Sequence, residues 1–153
     1  MTDIRIREPE DREFGAVAAL RWHWAAETQA PEATRDEFVR HFTAWARDNT
    51  HTHRCLVALR GGDVIGMAFL ATVERVPTPR AFHRRSGDVQ CVYVVPEERD
   101  NGVGGRLLGA ILDLARELGY ERVTVHSSPR AVPAYLCHGF EASPRLLQSV
   151  LSI

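Results

Sequence analysis

The chain has 153 residues, 44% apolar and 25% charged, with 19 basic against 20 acidic side chains. That composition suits one folded domain with a core and excludes a disordered chain, and the balanced charge gives no field to draw a nucleic acid or a membrane surface. Every basic residue is Arg, so all chemistry built on a lysine ammonium is excluded: the P-loop lysine, the pyridoxal Schiff base, the Ser-Lys dyad and the lysine general base. Cys55, Cys91 and Cys137 are odd in number and far apart. They predict neither a disulfide framework nor a zinc site, and a reducing, cytoplasmic setting is expected. The seven His residues form no metal-binding motif, so no metal is expected. Residues 1–10 are polar and read as no signal peptide, and no apolar run nears the roughly 20 residues of a spanning helix.

Residues 4–7 alternate apolar and charged and predict a first strand. Pro9, Glu10 and Asp11 open a helix carrying Phe14, Val17, Ala18 and Leu20 and reaching about Glu27 before Pro31. Thr34 and Glu37 have capping-box spacing, and Phe38, Val39, Phe42, Trp45 and Ala46 form a second amphipathic helix. Apolar runs at 55–59 and 64–70 flank Gly61 and Gly62, a hairpin signature. Pro77 and Pro79 start a loop with Arg80, His83, Arg84 and Arg85, followed by a strand from Asp88 to Val95. Residues 102–118 are the clearest helix, with Leu107, Leu108, Ile111, Leu112, Ala115 and Leu118 in one stripe and Gly119 as its stop. Residues 123–126 predict a short strand, 130–138 a short helix, and 139–151 a terminal strand region around Leu146 to Leu151. The order β-α-α-β-β-β-α-β-α-β-β implies a single α/β domain over 1–153. Its mixed, mostly antiparallel sheet carries helices on both faces and contains one parallel pair across the 88–126 crossover.

The most informative stretch runs from Val92 to Leu108. A buried strand stops at Pro96, a short turn follows, and Gly102, Gly104 and Gly105 stand where a helix begins. The first amides of a helix lack internal partners and carry the positive end of its dipole, and glycine admits a phosphate close to the backbone. Arg99 and Arg106 flank the turn as candidate charge-assisted donors. A Rossmann reading fails because the third motif position is Leu107, and a P-loop fails for want of lysine. Glu97, Glu98 and Asp100 oppose an anion unless they point away.

Arg99-x-x-Gly102-x-Gly104, preceded by Val92-Tyr93-Val94 and Pro96, resembles the acetyl-CoA signature of the GNAT superfamily of N-acetyltransferases. Ser128-Pro-Arg-Ala-Val-Pro-Ala-Tyr135, followed by Gly139 and Phe140, resembles that family's second motif. The resemblance spans nearly the whole chain, and it implies a GNAT-like fold with acetyl-CoA as co-substrate. It places the pantetheine arm along the backbone of Val92, Tyr93 and Val94. The diphosphate falls on the amides of Asn101, Gly102, Val103, Gly104, Gly105 and Arg106. Ser128 stands where many members carry a cofactor-contacting Asn, and Tyr135 where the family places the general acid for the CoA thiolate. A small-molecule amine or a peptide is the implied acceptor, and homodimers occur in the family.

The chemistry fits these residue types. A deprotonated amine attacks a thioester, a backbone N–H near Val92 stabilises the oxyanion, and a phenol with an ordinary pKa near 10 protonates the leaving thiolate. Asp88 is the leading candidate base, expected to share a strand face with Gln90, Val92 and Val94. Glu74, His83 and His126 are weaker candidates. Trp22, Trp24 and Trp45 lie on the helices that border the acceptor in this family, and the basic loop is a candidate contact for an acidic acceptor or the 3′-phosphate of CoA. Two competing readings remain: a non-catalytic acyl-CoA-binding module, and ping-pong transfer through Cys137.

Overall fold

A computed structural model describes residues 3–152. Five strands lie in the order β1-β2-β3-β4-β5: β1 (Ile4–Arg7), β2 (His53–Arg60), β3 (Asp63–Arg75), β4 (Arg84–Val94) and β5 (Val123–Val125). The first three pairings are antiparallel and the last, β4 with β5, is parallel. The α1 helix (Phe14–Ala26) and α2 (Arg35–Asp48) precede β2, α3 (Val103–Glu117) makes the crossover, and α4 (Val132–Cys137) follows β5. This is the mixed, helix-flanked sheet the sequence predicts. Among the described residues no helix is long and apolar enough to cross a membrane.

The local signals act as expected. Thr34 Oγ1 accepts from Glu37 N at 3.2 Å while Thr34 N donates to Glu37 Oε1 at 3.0 Å, closing the capping box of α2. Gly61 takes φ 61° in the β2–β3 turn, and Gly119 takes φ 74° after α3. The apolar stripe of α3 packs Val103, Leu107, Ile111, Leu114 and Ala115 against Leu56, Ala58, Ala68, Leu70 and Val89 on one sheet face. Burying Leu107 and Ile111, both fully enclosed, is worth about 1.5–3 kcal/mol each. The opposite face carries Val57, Leu59, Met67, Phe69 and Tyr93 beneath Val17, Leu20 and Trp24 of α1 and Phe42 of α2.

Two expectations need correction. Among the described residues, no strand follows β5, so the element order ends β-α rather than β-α-β-β. Leu146, Leu147, Val150 and Leu151 are exposed at 61%, 84%, 76% and 92%. Their spacing lacks the two-residue alternation a half-buried strand needs, and Pro144 withholds a ladder donor. The third long strand also starts earlier than expected, at Arg84, which draws Arg84 and Arg85 out of the basic loop. Arg84 pairs with Glu121 at 2.7 Å and Arg85 donates to Leu118 O at 3.0 Å, so neither guanidinium is held ready for a ligand.

Candidate active site

Strand β4 builds the centre of the site through one irregularity. Phe69 pairs with Gln90 and Met67 with Tyr93, so three steps on β4 oppose two on β3. The extra residue is accommodated where Cys91 takes φ 56°, a β-bulge. The bulge resets the alternation of side chains. Val89 packs on the α3 side, leaving Asp88 and Gln90 facing α1 and α2, whereas Val92 and Val94 return to the α3 side and Tyr93 faces α1. The expected common face for Asp88, Gln90, Val92 and Val94 is therefore wrong, because period-2 counting fails across an inserted residue.

The bulge coincides with the end of the parallel ladder. Strand β5 pairs only Val123, Thr124 and Val125 with Gly87, Asp88 and Val89. Beyond Val89, β4 runs on to Val94 with no strand beside it on that edge among the described residues. The main chain of this edge is one that an extended ligand can pair with as an added strand would.

At the end of β4 the chain turns sharply. Asp100 takes φ 67° and Gly102 takes φ 79° at the N-cap of α3. Ladder bonding starts with Arg106 N to Gly102 O at 3.1 Å, and no acceptor among the described residues meets the N–H groups of Val103, Gly104 and Gly105. Such free donors at a helix start are suited to an anion. The crowd of acids around them is disarmed on one side: Glu98 is held by Arg60 through bonds of 2.7 and 2.9 Å. That pairing, with a lesser contribution from Asn101, keeps its carboxyl below the usual range. The guanidinium of Arg106 donates to Ile4 O at 2.9 Å. Arg99 donates to Val94 O at 2.9 Å and to both oxygens of Glu27 at 3.2 Å, which ties the turn back to its strand.

Glu27 is a residue the sequence does not single out. Its carboxylate accepts from Tyr93 Oη at 2.6 Å as well as from Arg99, and these bonds hold it below the ordinary carboxylate range. Burial, with the Glu27 carboxylate adding to it, pushes the Tyr93 phenol up to about 12. Trp24 stacks on Tyr93 with ring centroids 5.3 Å apart. The α1 helix is thereby clamped to the strand and turn that carry the open amides. Trp22 instead donates to Ala33 O at 3.0 Å, and Trp45 sits edge-on to His53.

Asp88 is half-buried. Its Oδ1 accepts from Thr124 Oγ1 at 2.8 Å and its Oδ2 from Gln90 Nε2 at 3.0 Å. Tyr135, on α4, packs edge-on against Phe140 at 5.3 Å, and burial raises its pKa. Its hydroxyl has no hydrogen-bond partner among the described residues. It lines a cavity of about 880 Å3 between α3, β5, α4 and the C-terminal segment, with Tyr120, Val125 and Phe140. None of Asp88, Val92 or the glycine turn lines that cavity. His138 is the bridge: it lines the cavity, and a Cβ on Gly105 would lie 3.4 Å from its ring. Ser128 is exposed, at the start of the turn before α4. Cys137 is also exposed.

With this geometry in hand, three comparisons bear on identity. The model of the acetyltransferase (GNAT) family matches residues 17–140. An uncharacterized N-acetyltransferase, YhfO of Bacillus subtilis, is 27% identical over 160 residues, covering 98% of each chain. A predicted acetyltransferase of Clostridium acetobutylicum, solved with acetyl-CoA, superposes with a TM-score of 0.74 at 20% identity over 97% of this chain and 96% of that one. A Trypanosoma brucei acetyltransferase superposes at 0.75 with 24% identity over 97% and 100%.

Proposed function

The chain belongs to the GNAT acetyltransferase family, a family of acetyl-CoA-dependent enzymes, and from that premise we propose that it moves an acetyl group onto a primary amine by direct attack within a ternary complex. Residues 1–153 act as one domain in this reading. The observation that carries it is the adjacency of two open backbone surfaces: the β4 edge beyond Val89 and the free amides of residues 103–105. Acetyl-CoA offers the matching chemistry, an amide-bearing arm next to a diphosphate.

The residue roles follow from position. The main chain of Val92, Tyr93 and Val94 aligns the arm. The carbonyl of Val94 already receives Arg99, which leaves the N–H groups of this edge as the useful donors. The amides of residues 101–106 take the diphosphate, Arg60 keeps Glu98 from opposing it, and Ser128 offers a hydroxyl at the far wall. The N–H near Val92 stabilises the oxyanion as the amine adds to the thioester carbon. Asp88 faces the α1 and α2 side and takes the amine's proton through water. Tyr135 delivers a proton to the departing sulfur. Its unpartnered hydroxyl favours this role over a purely structural one, and its raised pKa keeps the proton on it at neutral pH.

The deciding experiment pairs calorimetry with coenzyme A and thiol release from acetyl-CoA across a panel of amines and peptides. Binding with release supports the reading. Binding without release from any acceptor would reduce the protein to an acyl-CoA-binding module, and no binding would remove the reading altogether.

A further inference from the structure

The α1 helix turns Val17, Arg21 and Trp24 toward the sheet, at i, i+4 and i+7 spacing. Val17 is fully buried, and Trp24 packs over Tyr93. The middle position of this stripe, where an apolar residue would normally sit, holds a guanidinium. Arg21 lies with Cζ 4.7 Å from the centroid of the Trp24 ring, and it lies against the Cys91 thiol at the bulge of β4.

A half-buried cation ordinarily has a counter-charge. The other half-buried arginines follow that rule: Arg7 pairs with Glu13, Arg54 with Glu8, Arg60 with Glu98 and Arg84 with Glu121. Arg99, stacked 5.2 Å from the far member of the same aromatic pair, has Glu27. Arg21 alone among them meets no carboxylate among the described residues. Its π face is covered by Trp24 and one N–H reaches the Cys91 thiol, so the remaining in-plane N–H groups are left for a planar, two-oxygen partner. Its neighbour Cys91 directly precedes Val92, whose main chain is assigned to the reacting acetyl group.

Resting on the proposed acetyl transfer, we infer that Arg21 is the specificity determinant of the acceptor site and that the acceptor is an amine bearing its own carboxylate, of the amino-acid class. The carboxylate docks on the Arg21 fork from the α1 and α2 side of the sheet. That is the side Asp88 and Gln90 face, while α3 covers the other. The amine is thereby held over the bulge, and the missing counter-charge is supplied by substrate.

The test compares free amino acids with their carboxamides as acceptors, in wild type and in Arg21→Gln and Arg21→Lys. The expected result is a preference of at least about tenfold in kcat/KM for the acids, corresponding to one charge-assisted contact. Arg21→Gln abolishes the preference by lowering turnover of the acids alone, and Arg21→Lys keeps part of it. The KM for acetyl-CoA stays unchanged in both variants, which also reports that they fold. Coenzyme A binding with acids and amides used alike, with neither used, or with both reduced equally in Arg21→Gln overturns this inference while leaving the cofactor site intact. Failure to bind coenzyme A overturns the proposed function and this inference together.

Discussion

Tyr93 and Glu27, 66 positions apart, share a 2.6 Å hydrogen bond from phenol to carboxylate. Through Glu27 the same clamp holds Arg99, and through Arg99 the carbonyl of Val94. The last turn of α1 therefore sets the position of the turn before α3. Tyr93→Phe is expected to cost about 1.5–3 kcal/mol, the range for a hydrogen bond to a charged group. In a domain this size that lowers Tm by roughly 3–12 °C. The KM for acetyl-CoA should rise while the pH profile of kcat stays in place, because this phenol only positions its neighbours. A displaced kcat profile would instead give Tyr93 a part in proton transfer.

Tyr135→Phe should leave coenzyme A affinity within twofold of wild type and lower kcat by about 10²–10⁴, the range for a lost general acid. Burial raises the Tyr135 pKa, so the acid stays protonated through neutrality. The alkaline fall in kcat should therefore lie above the ordinary phenol value of about 10 and be absent from the variant. Pre-steady-state thiol release at several pH values measures both.

Gly102 and Gly104 separate conformation from space. Gly102 has open room for a Cβ but sits at φ 79°, so Gly102→Ala is expected to cost about 1–2 kcal/mol of stability and to weaken coenzyme A binding by distorting the turn. In Gly104→Ala the new methyl meets only Val94 Cγ2 at an ordinary 3.9 Å, so Tm should be kept, while coenzyme A binding should weaken because the methyl stands among the amides proposed to take the diphosphate. Equal losses of Tm in the two variants would contradict the φ argument.

Arg60→Gln should leave Glu98 uncompensated beside the amides proposed to receive the diphosphate. Coenzyme A binding is expected to weaken several-fold at low salt, with the difference shrinking as ionic strength rises. The pH dependence has a definite sign. Arg60 lowers the Glu98 pKa, so the stability this pair contributes is complete above the unfolded carboxylate value of about 4.3 and is lost as pH falls through the lower folded value. Acid titration of Tm should show that loss in wild type and a smaller one in Arg60→Gln.

Gly87→Ala tests the floor of the β4–β5 ladder. A Cβ there would lie 2.7 Å from Leu70 Cδ1 and 2.9 Å from Tyr120 Cδ2. Overpacking of this kind costs about 1–3 kcal/mol, to be read from the denaturation midpoint.

Periodicity and punctuation reached the whole architecture up to α4. The capping box, the Gly61–Gly62 hairpin and the α3 stripe are local patterns whose geometry is set within a few residues. The glycine turn was legible for the same reason, since free amides at a helix start follow from its first residues alone. The terminal segment carries apolar content around Leu146 and Leu151 without the alternation that a strand requires. Glu27 and Arg21 are not legible in the sequence, because each has meaning only through partners on β4. The one available signal was a charged residue at position 21, on the buried stripe of α1.

The amino-acid order by itself determined that this chain folds as a helix-flanked mixed sheet with a turn of open amides after its fourth strand, because backbone conformation there is fixed by short-range sterics. Tertiary structure decided which side chains meet. A single inserted residue at Cys91 turned Asp88 and Val92 to opposite faces. Contacts across tens of positions then gave Glu98 and Arg99 their counter-charges and left Arg21 without one among the described residues. Such pairings depend on distances between elements, and no local pattern encodes them.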